Sequence, residues 1–193
     1  MRRSAAILVL SALLHVTALS GQTSPSAHAQ PLGVPLTYVI GFGDQYLGGD
    51  ELYDTKITVL QVVRGEKAWE MVKAASASNK PPGAGFEYLL TRIRFEFSAR
   101  TSPSHYRYTI EEGQFTATSS DGKEYAAASL AESPKPRLNG TLAPGSALEG
   151  WVAFRVPRGA DKPLMIFQED VGSVIHRGGG AWFRLYESPA ARR

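Results

Sequence analysis

Apolar residues recur along this chain with two different periods. From Phe86 to Phe97 (FEYLLTRIRFEF) the period is two. Leu89, Thr91, Ile93, Phe95 and Phe97 point one way, and Tyr88, Leu90, Arg92, Arg94 and Glu96 the other. Strict alternation of this kind predicts a half-buried strand of an antiparallel sheet, its charged side solvated. Lys56 to Val63 (KITVLQVV) is β-branched and predicts a second long strand, with Ile57, Val59 and Val63 on one face and Leu60 and Val62 on the other. Between the two strands the period changes. Ala68, Met71, Val72 and Ala75 stand at i, i+3, i+4 and i+7, one face of a short helix over about residues 67–76. Glu66 suits the positive end of its dipole and Gly65 its cap. Two or three turns do not hold together alone in water, so the helix is expected to cap one end or edge of a sheet and plug the sandwich, with Trp69, Met71 and Val72 supplying the contacts. Asn79, Pro81, Pro82, Gly83 and Gly85 forbid its continuation.

Shorter apolar runs predict strands at Leu36 to Ile40, Tyr106 to Ile110 and Gln114 to Thr118, and at Glu124 to Ala127 after an Asp121-Gly122 turn. Further runs lie at Leu148 to Val156, closed by Pro157, and at Leu164 to Gln168, Val171 to His176 and Trp182 to Glu187. Asn139-Gly140 reads as a tight turn, and the Gly-rich, acid-rich stretch from Gly41 to Thr55 as a long loop or short hairpin. Many short strands at even spacing with one helix predict an all-β sandwich over residues 36–187, a small closed barrel being the alternative.

The first residues carry a different pattern. Met1-Arg2-Arg3 is a basic opening, Ala5 to Leu19 is nearly all apolar, and small-x-small sites follow at Ala18-Leu19-Ser20 and Ala27-His28-Ala29. This is the pattern of an export leader, and the second site sets a signal peptide at 1–29, a linker at 30–35 and a loose tail at 188–193. A membrane anchor needs ~20 apolar residues, which His15 and Thr17 interrupt, so no span is expected after cleavage. The expected location is secreted, extracellular or periplasmic. No cysteine occurs, which excludes a disulfide framework and a thioether lipid anchor. Cleavage after Ala29 takes Arg2 and Arg3 away, so that 21 Lys+Arg against 18 Asp+Glu become 19 against 18. A nearly neutral mature chain is not built for nucleic acid, which calls for clustered positive charge.

Three features make the chain resemble a family of secreted bacterial telokin-like, immunoglobulin-like domains that includes the mycobacterial immunoprotective extracellular antigens. One is Arg64-Gly65 followed by Ala68-Trp69. Another is Asn79-x-Pro81-Pro82 leading into Glu87-Tyr88-Leu89-Leu90. The third is Pro144-Gly145 ahead of Glu149-Gly150-Trp151-Val152-x-Phe154-x-Val156-Pro157. The resemblance covers roughly residues 34–187. It implies an antiparallel immunoglobulin-like β-sandwich with a short crossover helix, export and a binding role, and it transfers no catalytic residue. The residues themselves read as structural: Gly150 permits a close approach, and Pro157 ends a strand by removing a ladder donor. The cysteine pair of antibody domains is absent, so apolar packing must carry the sandwich.

The chemistry on offer is sparse. Beyond the leader two histidines remain, His105 and His176, each beside a turn, and no nucleophile motif accompanies them. The expectation is a non-enzymatic domain that binds an extracellular protein or glycan, with a hydrolase the weaker alternative. Asp44, Asp50, Glu51 and Asp54 form the densest acidic cluster, and hard oxygen ligands on a Gly-rich loop make it a candidate calcium site without EF-hand spacing. Tyr46, Tyr53, Tyr106 and Tyr108 are candidate binding-surface aromatics, which with calcium would suit a carbohydrate-binding module.

Overall fold

In chain order the elements are helix α1 (Pro25–His28), strand β1 (Leu36–Phe42), β2 (Glu51–Arg64), helix α2 (Glu66–Ala75), β3 (Phe86–Ala99), β4 (Tyr108–Ile110), a 3-10 turn (Glu112–Gln114), β5 (Phe115–Thr118), β6 (Gly140–Leu142), β7 (Ser146–Pro157), β8 (Leu164–Phe167) and β9 (Ala181–Arg184). They come from a computed structural model that describes residues 25–42, 51–101, 104–169 and 180–187. The strands form an antiparallel sheet in the order β1-β2-β3-β7, a second in the order β5-β8-β9, and a small β4-β6 pair. These sheets enclose one core, so the sandwich expected from the sequence is the observed architecture. Residues 1–24 of the expected leader, the run Val171 to His176 and the tail 188–193 lie outside the described residues.

The alternation of β3 holds over its full length. Leu89, Thr91, Ile93, Phe95 and Phe97 are buried against Ile57, Val59, Val152, Val156, Met165, Phe167 and Phe183 between the sheets. On the other face Arg92, Arg94 and Glu96 join Lys56 and Glu149 in a cross-strand ion network with contacts of 2.9–3.2 Å. Exposed pairs of this kind are screened by solvent and add little, so this face is solvated rather than a source of stability.

β2 departs from its expected pattern. The pairing with β3 slips between Val59 and Gln61, leaving Leu60 as a bulge residue that is 40 % exposed. One extra residue exchanges the two faces beyond it. Val62 therefore packs on the main core with Ile57 and Val59, whereas Val63 turns to the opposite side, the reverse of the expected assignment. Residues 51–55, expected in a long loop or short hairpin, belong to the long strand β2, where Tyr53 and Thr55 are fully buried. Glu124 to Ala127, expected as a strand, makes isolated bridges to Thr118 and Phe154. Gly140, expected in a turn, opens β6.

Helix α2 forms within a residue of its expected bounds. The strands it joins are antiparallel neighbours, and it lies on the outer face of their sheet rather than at the end of the sandwich. There Ala68 and Val72 close a second apolar cluster with Tyr88, Leu90 and Trp151, and Trp69 and Met71 are half-buried at its margin. The expected linker is tied down too: Gln30 bridges β9, its N–H donating to Trp182 O at 2.9 Å, and Gly33 N–H donates to Val59 O at 2.8 Å.

Candidate functional site

The chain leaves β2 through Gly65, whose φ of +66° is a left-handed conformation that costs other residues energy. Its N–H donates to Tyr88 O and its carbonyl accepts from Trp69 N–H, which sets the first turn of α2 directly beside β3. Four residues past the end of the helix at Ala75 stands Asn79, a buried residue that is 5 % exposed. Its Nδ2 donates to Val72 O at 2.7 Å and Glu132 O at 2.8 Å, and its Oδ1 accepts from Ala131 N–H at 2.7 Å and Glu132 N–H at 3.3 Å. The Pro81-Pro82-Gly83 turn is clamped in its turn. Tyr88 Oη donates to Lys80 O, Arg155 Nε donates to Pro82 O, and the Arg155 guanidinium lies 3.8 Å from the centre of the Phe86 ring.

Between the start of α2 and that turn runs a groove of about 570 Å³. Trp69, Pro81, Pro82 and Phe86 supply its apolar lining, and Glu66 and Arg158 give it one charge of each sign. Trp69 lies with its ring nearly parallel to that of Tyr88, centroids 6.1 Å apart. The groove's other carboxylate, Glu87, is engaged by Arg64 in a two-pronged ion pair (2.5 and 3.1 Å), and Arg64 also donates to Ala160 O. The floor is thus fixed by ion pairing and hydrogen bonding rather than left to adapt.

The family model for the domain of unknown function DUF4352 matches residues 53–174. The chain belongs to that family. No curated protein matches this DUF4352 chain. Three solved structures are similar to it. The secreted protein MPT63 of Mycobacterium tuberculosis is 15% identical with a TM-score of 0.44, the match covering 82% of this chain and 98% of that one. YcdA of Bacillus subtilis, described as a candidate lipoprotein, is 12% identical with a TM-score of 0.48, over 67% of this chain and 35% of that one. YjhA of Bacillus subtilis is 14% identical with a TM-score of 0.42, over 72% and 79%. The DUF4352 chain spans about a third of the length of YcdA.

The acidic and aromatic candidates of the DUF4352 chain separate on inspection. Asp44, Tyr46 and Asp50 lie outside the described residues. Glu51 and Asp54 each have a partner of their own. The Glu51 carboxylate accepts from His105 N–H and Tyr53 Oη and lies 2.5 Å from His105 Nδ1, while Arg100 takes Asp54 at 2.6 and 2.9 Å. Among the described residues no group of three or more His, Asp or Glu could hold a metal ion.

Two of the tyrosines are core residues and not surface platforms. Tyr53 is fully buried and stacks on Phe97 at 4.8 Å; Tyr108 is 4 % exposed, stacks on Phe95 at 5.4 Å and accepts from Gln114 Nε2. Tyr106, 40 % exposed, stacks on Phe42 at 4.9 Å and remains on the surface. The residues that line the groove were not proposed from sequence. Trp69 and the Pro-Pro-Gly turn were noted there as structure, and the signal that they share a concavity lies in the pairing of Gly65 with Tyr88.

The Glu51 cluster holds the stretch before β4 against the start of β2. Its carboxyl is lowered to about 2, first by the His105 ring, then by the Tyr53 hydroxyl and the His105 N–H. A carboxylate held below its unfolded value stabilises the fold above that value and loses the contribution as pH falls through the folded one. The melting-temperature advantage of the native chain over Glu51→Gln is therefore expected in full above the ordinary value of 4.5 and to shrink as pH is lowered toward 2. Thermal melts of both proteins at several acidities check this; an advantage that does not change with pH contradicts it.

Proposed function

We propose that the chain is an exported, non-enzymatic binding domain whose binding face is the groove beside Trp69, and that its partner is an extended segment of an extracellular protein. The lining of the groove carries this reading. A concavity with aromatic and proline walls and a few polar groups is the usual make-up of a ligand site, and extended, proline-rich peptides dock in aromatic-lined grooves of this kind. The leader pattern supports export, and no described helix is long and apolar enough to cross a membrane. The non-enzymatic reading is supported by the use to which the acid–base groups are put: His105 and Glu51 bind each other, and Arg64 engages Glu87.

The test is tryptophan fluorescence of the exported protein titrated with proline-rich peptides and, separately, with oligosaccharides. Saturable binding of peptides is expected. Trp69→Ala is expected to weaken it tenfold or more, as for an aromatic anchor, at a stability cost of only about 1–2 kcal/mol because the residue is only partly buried. Saturation by oligosaccharides alone replaces the peptide with a glycan. No response to either, or a turnover abolished by His105→Ala, overturns the reading.

A further inference from the structure

We propose that a leader peptidase hydrolyses the bond between Ser20 and Gly21, so that the mature protein keeps residues 21–29, and that the segment Pro25–Gln30 is the clasp that closes the outer edge of β9. The inference rests on the export reading and concerns where the leader ends. Water adds across one peptide bond, leaving a carboxylate on Ser20 and an ammonium group on Gly21.

The structure gives residues 25–30 a place in the fold. β9 pairs on one side with β8, and its other side would be an open sheet edge. Gln30 covers that edge as a parallel bridge, donating to Trp182 O at 2.9 Å and accepting from Arg184 N–H at 2.8 Å. Ala29 is 3 % exposed. Helix α1 packs along β9, and Pro25 reaches the turn at Gly122, its Cγ 3.3 Å from where a Cβ there would stand. A cut after Ala29 removes α1 and the buried methyl. It also turns the half-buried Gln30 N–H into a charged ammonium group at the sheet edge. A buried small residue and a covered edge are features of a folded domain, not of a discarded peptide.

The spacing of the leader agrees. Ala18 and Ser20 are small residues at the two positions a leader peptidase reads, and Ser20 directly follows the apolar run ending at Leu19. Ala29 stands ten residues beyond that run.

Expression of the full chain in an exporting bacterial host, with intact mass and N-terminal sequencing of the exported protein, tests the proposal. Gly21 at the N-terminus is the expected result. Gln30 or its cyclised form there overturns the assignment while leaving export intact. A chain retained in the cell with Met1 in place overturns the export reading itself. Chains made directly from Gly21 and from Gln30 give a second measurement: the longer should melt higher by roughly 2–4 °C or more. Equal melting temperatures contradict the clasp.

Discussion

Gly150→Ala is expected to destabilise the domain by about 3 kcal/mol or more, at the upper end of the range for overpacked sites. A Cβ at that position would stand 2.3 Å from Leu138 N, 2.4 Å from Arg137 C and 2.6 Å from Arg137 O. All three are backbone atoms, so no side chain can swing aside to admit the methyl group. The segment they belong to crosses β7 as a parallel bridge, with Trp151 N–H donating to Pro136 O at 2.8 Å and Leu138 N–H to Trp151 O at 3.4 Å. Pushing it outward breaks those bonds and withdraws Leu138, fully buried, from the main core. Chemical denaturation of the two proteins measures the difference. A loss below about 1 kcal/mol would mean that residues 136–138 float free of β7, and Leu138→Ala should then be equally mild.

The close approach at Gly150 was legible in the sequence because a glycine inside a strand beside Trp151 has few other uses. Its partner was not, since nothing local ties residues 136–138 to β7. The same division runs through the fold. β3 and α2 could be read residue by residue because each carries its own period over ten or more positions. The bulge at Leu60 could not, because an extra residue shows only when β3 is laid alongside. The start of β2 was hidden by its acids, although Tyr53, Thr55, Ile57 and Val59 continue one alternation. Tyrosine is ambiguous for another reason. Its ring suits a core and its hydroxyl a surface, so Tyr53, which stacks on Phe97, and Tyr106, which is exposed, look alike in the chain. The groove is a juxtaposition of two turns across Gly65 and has no linear pattern at all.

Asn79→Ala is the second large effect, expected to cost about 3 kcal/mol. Four hydrogen bonds end on one buried side chain, joining the last turn of α2 to residues 131–132. Truncation leaves the carbonyls of Val72 and Glu132 and the N–H groups of Ala131 and Glu132 with a lost partner, and each buried group stranded in this way costs about 1–3 kcal/mol where water cannot replace it. Asn79→Asp separates this account from simple loss of packing. The shape is unchanged, and one oxygen still accepts from the two N–H groups. The other oxygen now faces two carbonyls, which repel a carboxylate and accept from a carboxylic acid. The folded state therefore raises the new group's pKa above the ~3.9 of an unfolded aspartate. With the sign worked through, the penalty of Asn79→Asp is smallest below that unfolded value and grows as pH rises above it, until the folded value is passed. Denaturant unfolding at pH 3 and pH 7 reads this directly. A cost that is the same at both, or that is larger in acid, contradicts the assignment of Asn79 as donor to Val72 and Glu132. The groove gives a further readout, since its Pro81-Pro82-Gly83 wall begins two residues after Asn79: loosening the anchor should weaken peptide binding in parallel with stability, whereas Trp69→Ala should weaken binding tenfold or more under conditions where the domain remains fully folded.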